Sequence, residues 1–172
     1  MKNKGKIHIY TGNGKGKTTA ALGLAIRASG AGKTVYIAQF VKGMHYSELE
    51  TLKKIDNITI KQYGLECFIK NEPQQKDIDA AKNGLKEIKK NIKTQKIDLL
   101  ILDEICIAID YNLLEINELN DIFAKTNEGM ELVLTGRNAG KELYSKADLI
   151  TEMKEIKHYY NEGTIARIGI EY

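Results

Sequence analysis

Apolar residues recur along this chain in two alternating rhythms. Short runs rich in β-branched and aliphatic residues read as strands, and longer stretches with apolar positions three and four apart read as helices. Ile7, Ile9 and Tyr10 lead into Thr11 as a first strand, residues 34–40 form a second, and residues 58–60 a third. Residues 97–102 are an unbroken apolar run, as expected of a strand buried on both faces. Residues 131–135 and 149–153 complete the strand pattern. Between them, the alanine- and leucine-rich residues 18–29 predict a helix stopped at Gly30. Ile78, Ala81, Leu85, Ile88 and Ile92 mark a long amphipathic helix, and Ile116, Leu119, Ile122 and Phe123 another. Residues 47–54 and 141–145 predict shorter ones. The least regular stretch, residues 43–75, reads as a loop or lid, and the tail, residues 163–172, is expected to pair at a sheet edge.

Strands alternating with helices imply right-handed crossovers, hence an α/β fold with a mostly parallel central sheet and helices on both faces. With 172 residues and 42% hydrophobic content, the chain suits one globular domain, residues 1–172. The net charge of +3 is mild, and lysines such as Lys86, Lys90 and Lys93 fall on the polar side of a helix. A nucleic-acid-binding domain concentrates far more charge, so that class is set aside. Cys67 and Cys106 form no CxxC pair and suggest no zinc set. The first residues contain no long apolar stretch, so neither a signal peptide nor a membrane span is expected, and a cytoplasmic protein is the default.

The sharpest chemical signal is Thr11-Gly12-Asn13-Gly14-Lys15-Gly16-Lys17-Thr18-Thr19, between a predicted strand and a predicted helix. That is the context a P-loop requires. Glycines let successive backbone N–H groups converge on phosphate oxygens, and the helix dipole adds to the attraction. Lys17 supplies a full positive charge, and Thr18 offers a hydroxyl to Mg²⁺. The usual first glycine is Thr11 here, with Gly12 displaced by one position. A second signal is Leu99-Leu100-Ile101-Leu102-Asp103-Glu104, an apolar strand ending in two acids. Ligands of an open parallel sheet bind at the carboxyl ends of its strands, which brings Asp103 and Glu104 beside the P-loop as candidate Mg²⁺ ligands. These residues predict a magnesium triphosphate site without naming the reaction.

Further segments carry a resemblance. The P-loop block, Leu22-Gly23-Leu24-Ala25-Ile26-Arg27-Ala28, Gln39-Phe40-Val41-Lys42-Gly43, Leu102-Asp103-Glu104, Leu134-Thr135-Gly136-Arg137-Asn138-Ala139, residues 147–153, Lys157-His158 and the tail Gly163, Ala166, Gly169-Ile170-Glu171-Tyr172 together resemble the P-loop type of ATP:cob(I)alamin (corrinoid) adenosyltransferase. The resemblance runs from about Ile7 to the end and is looser over residues 45–96. It implies a RecA-like P-loop NTPase fold and a homodimer. It also implies transfer of the adenosyl group of ATP to the Co(I) of cob(I)alamin or a related corrinoid, with release of inorganic triphosphate. A flavoprotein reductant, adenosylcobalamin synthesis or salvage, and no nucleic-acid or membrane partner go with that reading.

By resemblance, residues 12–18 hold the triphosphate, Thr18 and Glu104 bind Mg²⁺, and Arg27 contacts a phosphate. Arg27 has a bland alternative as a helix-surface arginine. Arg137 is expected at the same sheet edge, against nucleotide or corrinoid side chains or a local acid. The family's ligand-displacing segment often reads Gly-Phe-x-Trp. Here it reads Gly64-Leu65-Glu66-Cys67-Phe68 in a chain without tryptophan, leaving Leu65 and Phe68 either in that role or in the core. Tyr159-Tyr160 stand where the family commonly has Pro-Phe. His8 is expected to be structural, His45 falls in the irregular stretch, and His158 on the corrinoid side or at a dimer contact. Two other readings stay open: a small-molecule kinase releasing ADP, and an ATP-switched binding protein. The kinase would need a base for an attacking hydroxyl, with Glu104 the one candidate.

Overall fold

A computed structural model describes residues 4–65 and 72–172. Six strands form one sheet: β1 (Ile7–Thr11), β2 (Val35–Phe40), β3 (Ile58–Tyr63), β4 (Leu99–Asp103), β5 (Glu131–Thr135) and β6 (Leu149–Glu152). Their order is β3-β2-β4-β5-β1-β6, and every pairing is parallel. The helices are α1 (Lys17–Gly30), α2 (Glu48–Leu52), α3 (Gln75–Thr94), α4 (Ile105–Asp110), α5 (Asn120–Thr126) and α6 (Lys141–Tyr144).

Alternation along the strands splits the core in two. Ile9, Tyr36, Ala38, Phe40, Leu100, Leu102, Leu132 and Leu134 point to one face and pack with the apolar stripe of α3 and with Ile105, Ile122 and Phe123. Val35, Ile37, Leu99, Ile101 and Val133 point to the other, against Ala21, Ala25 and Ala28 of α1 and Leu49 and Leu52 of α2. Small alanines on the buried side let α1 lie close over the sheet, which holds its N-terminus at the strands' carboxyl ends.

Two expectations change. The helix expected over residues 116–123 is a 3₁₀ turn, Ile116–Leu119, running into α5. Within the irregular stretch, residues 43–75, the short helix and third strand expected over residues 47–54 and 58–60 are present as α2 and β3. The tail does not pair at a sheet edge, because its backbone groups are spent on local turns (Gly169 N–H to Tyr172 O, 2.6 Å; Glu171 N–H to Arg167 O, 3.0 Å). Charged contacts instead carry it across the carboxyl end of the sheet. The edge strand on that side is β6, whose four residues are all exposed. No helix among the described residues is long and apolar enough to cross a membrane.

Candidate nucleotide site

The loop between β1 and α1 is braced from behind. Gly12 has φ 94°, and a Cβ there would lie 2.5 Å from the Met153 carbonyl oxygen, so only glycine fits both the turn and the neighbouring backbone. Gly14 N–H donates to the same oxygen at 2.7 Å. This close crossing accounts for the displaced glycine: Thr11 completes β1 by pairing with Glu152, and the tight turn starts one residue later. Lys17 opens α1, and its Nζ donates to the carbonyls of Gly12 (2.7 Å) and Gly14 (2.8 Å). Burial lowers the pKa of this ammonium, with the Glu104 carboxylate opposing the shift and Arg137 adding to it.

Asp103 stands across the loop at the end of β4 and is fully buried. Its Oδ1 accepts from Thr18 Oγ1 (2.9 Å) and Thr135 Oγ1 (2.7 Å), and its Oδ2 from Gln39 Nε2 (3.2 Å) and Lys42 Nζ (2.7 Å). Burial disfavours its charge, but the Lys42 ammonium and these hydroxyl donors outweigh burial and hold the carboxyl below its ordinary value. Strand order explains the arrangement, since β5 lies between β1 and β4 and its last residue, Thr135, reaches Asp103.

Glu104 follows in the left-handed region at φ 58°, and its N–H donates to Thr135 Oγ1 at 2.9 Å. That turn swings the chain into α4 and leaves the Glu104 side chain lining the cleft. Burial and the adjacent Asp103 charge raise its pKa, while Lys42, Lys17 and Arg137 pull it back.

The cleft so formed has a volume of about 920 Å³, enough for a nucleotide-sized ligand. Asn13, Gly14, Lys15, Gly16, Lys17, Thr18, Thr19, Glu104 and Arg137 all line it, as do Lys42, Tyr46 and His158. Leu22 and Ile26 of α1 form an apolar shelf, and residues 169–172 of the tail form the facing wall. Lys15 Nζ anchors that wall through Glu171 Oε1 (2.6 Å), the Ile170 carbonyl (2.8 Å) and Tyr159 Oη (2.9 Å).

Arg27 is not brought to the cleft. It is exposed and lies ten residues into α1, about 15 Å along the axis from the phosphate loop. His8 is tied to Glu131 (2.8 Å), and exposed His45 is nearest Glu50 (3.8 Å). Of the segment expected to displace the lower cobalt ligand, Glu66, Cys67 and Phe68 lie outside the described residues. Sequence reasoning gave no role to Lys42, Gln39 or Thr135. Each lay inside a quoted block, but nothing in the local pattern points them at Asp103.

The donor set suits magnesium. Thr18 and Glu104 offer hard oxygens, and Mg²⁺ is usually held by one or two carboxylates together with substrate phosphates. Asp103, with both oxygens already engaged, orients the Thr18 hydroxyl from behind.

The chain matches, over residues 3–172, the family model described as ATP:corrinoid adenosyltransferase BtuR/CobO/CobP. It belongs to that family. A corrinoid adenosyltransferase of Escherichia coli K12 is 30% identical over 98% of this chain and 86% of its own length. One from a Sinorhizobium species is 35% identical over 98% of this chain and 81% of its own. The corrinoid adenosyltransferase CobA of Salmonella typhimurium is 29% identical over the whole chain and 88% of its own. In overall shape this adenosyltransferase-family chain is similar to a KaiC-like protein of Pyrococcus horikoshii (TM-score 0.59, 19% identity, 90% of this chain and 75% of that one), which supports the RecA-like fold. Family membership disfavours the kinase and switched-binder readings.

Proposed function

We propose that this corrinoid adenosyltransferase uses the cleft to bind ATP and transfer its 5′-deoxyadenosyl group to a corrinoid reduced to Co(I). The observation that carries the reading is the meeting of Lys17, Thr18, Glu104 and Arg137 around one cleft in a chain of this family. The Co(I) electron pair attacks the ribose C5′, a Co–C5′ bond forms, and the C5′–O bond breaks. Its electron pair leaves with inorganic triphosphate, and cobalt is formally oxidised to Co(III). The corrinoid is the nucleophile, so the protein needs no base. It has to align the reactants and stabilise charge growing on the leaving group.

Lys17 leaves the Gly12 and Gly14 carbonyls for the triphosphate, and the loop N–H groups donate to its oxygens. Mg²⁺ held by Thr18 and Glu104, with Asp103 behind them, would neutralise further charge on the leaving group. Arg137 reaches in from the end of β5 toward nucleotide or corrinoid side chains.

The test is the phosphate product. Inorganic triphosphate, one per adenosyl group transferred, is expected; ADP or orthophosphate as the main product would refute adenosyl transfer.

We also assign a homodimer, with reduction supplied by a separate flavoprotein and the reaction placed in the cytoplasm, where ATP is plentiful. The dimer reading is the one the family resemblance implies, and a second copy would find exposed apolar side chains at Leu149 and Ile150 of edge strand β6 and at Ile165 and Ile168 of the tail. Sedimentation equilibrium at twice the monomer mass is expected, and a monomer at micromolar concentration would refute it.

A further inference from the structure

The segment after β2 is held under tension. Val41 has φ 57°, in the left-handed region that a β-branched residue rarely adopts. Beside it two backbones cross in direct contact. A Cβ on Gly43 would lie 2.4 Å from the Leu65 carbonyl carbon, and one on Gly64 2.4 Å from the Lys42 nitrogen. What this geometry delivers is the Lys42 side chain.

Its ammonium sits 2.7 Å from Asp103 Oδ2, 3.2 Å from Thr18 Oγ1 and 5.0 Å from the centre of the Tyr46 ring. Thr18 gives its own proton to Asp103 Oδ1, so it accepts from Lys42 through a remaining lone pair. An ammonium 3.2 Å from Thr18 Oγ1 and 2.7 Å from Asp103 Oδ2 takes up space that a metal held by the Thr18 oxygen would need. The ammonium and a magnesium ion therefore compete for one position.

We propose that Lys42 is a tethered cation that fills the metal position beside Thr18 and Asp103 in the nucleotide-free protein and turns onto the triphosphate when Mg²⁺ and ATP enter. The inference rests on reading the cleft as a magnesium triphosphate site. A compact ammonium on a flexible four-carbon stem suits such an exchange. Asp103 is never left buried without a cation nearby, because one arrives as the other swings away. The displaced ammonium stays within the cleft that Lys42 lines, where it meets phosphate oxygens as a second charge beside Lys17.

Two binding measurements on Lys42→Met test this. Mn²⁺ binding to the nucleotide-free protein, read by electron paramagnetic resonance, should tighten about tenfold relative to wild type. ATP binding by calorimetry should weaken about tenfold at saturating Mg²⁺, where Lys42 meets the phosphates, and less than threefold in EDTA, where it stays on Asp103. Unchanged Mn²⁺ affinity, or an equal loss of ATP affinity with and without metal, would overturn the proposal and leave Lys42 as a structural counter-ion. If Lys42→Met fails to fold, Lys42→Gln, which still donates a hydrogen bond to Asp103 without a charge, is read by the same two measurements. Lys17→Ala separates the two levels: retained ATP affinity in that variant would refute the cleft reading itself, whatever Lys42 does.

Discussion

Lys15, in the middle of the phosphate loop, donates to Glu171, one residue from the end of the chain, at 2.6 Å. Arg167, within the tail, and Tyr159 converge on the same carboxylate, so three groups meet there and Lys15 and Tyr159 fasten the tail over the nucleotide cleft. The tail is thus a wall of the site held by charge, without a ladder of its own. Removing residues 164–172 should weaken ATP binding about tenfold while the melting temperature shifts little, because the tail is exposed and outside both cores. ATP affinity equal to that of the full chain would remove the tail from the site.

The clasp has a defined pH window. Arg167, Lys15 and Tyr159 hold the Glu171 carboxyl well below its ordinary range, and Glu171 first, then Tyr159, raises the Lys15 ammonium above 10.5. A depressed carboxyl contributes above its unfolded value and is lost as pH falls through the folded one. A raised ammonium contributes below its unfolded value and is lost as pH rises through the folded one. Protection of the tail amides from hydrogen exchange, corrected for intrinsic rates, should therefore stay flat from about pH 6 to 9, well inside both ordinary side-chain values. A loss of protection within that window would contradict the clasp.

Thr135 ties the two acids together, donating to Asp103 at 2.7 Å and accepting from the Glu104 N–H at 2.9 Å. Thr135→Val keeps the shape and removes both bonds. Hydrogen bonds to a buried charge are worth about 1.5–3 kcal/mol, so urea unfolding should show a loss of that order. The Mg²⁺ concentration for half-maximal activity should rise as well, since Glu104 loses its backbone anchor. Wild-type stability and Mg²⁺ dependence would show the bridge to be idle.

The two arginines should behave differently. Arg137 lines the cleft, and Arg137→Ala should lower kcat/KM about tenfold or more, the loss of one charge-assisted contact. Arg27 is exposed and outside it, so Arg27→Ala should stay within about twofold of wild type, as surface changes usually do. A large defect in Arg27→Ala would mean that the arginine reaches substrate in an arrangement this single chain does not adopt.

The strands and α1 were legible because burial on two faces imposes period and composition. Residues 97–102 read as a doubly buried strand, and the strand-loop-helix context of Lys17 and Thr18 follows from short-range chemistry. Lys42 was not legible. It reaches Asp103 because Val41 is strained and because Gly43 and Gly64, far apart in the chain, cross at close range. The tail was missed for a related reason: its fastening to Lys15 spans more than 140 residues and leaves no periodic trace. The short α4 was also missed, because the Ile105–Asp110 sequence, ICIAID, reads as easily as strand.

The most direct test is an anaerobic reaction of the purified protein with ATP, Mg²⁺ and chemically reduced cob(I)alamin, followed by absorbance. Formation of a light-sensitive cobalt–carbon product with one triphosphate per turnover, both lost in Lys17→Ala, is the predicted result. Folded, ATP-binding protein that forms no such product with cob(I)alamin or with a smaller corrinoid precursor would contradict adenosyl transfer at this cleft.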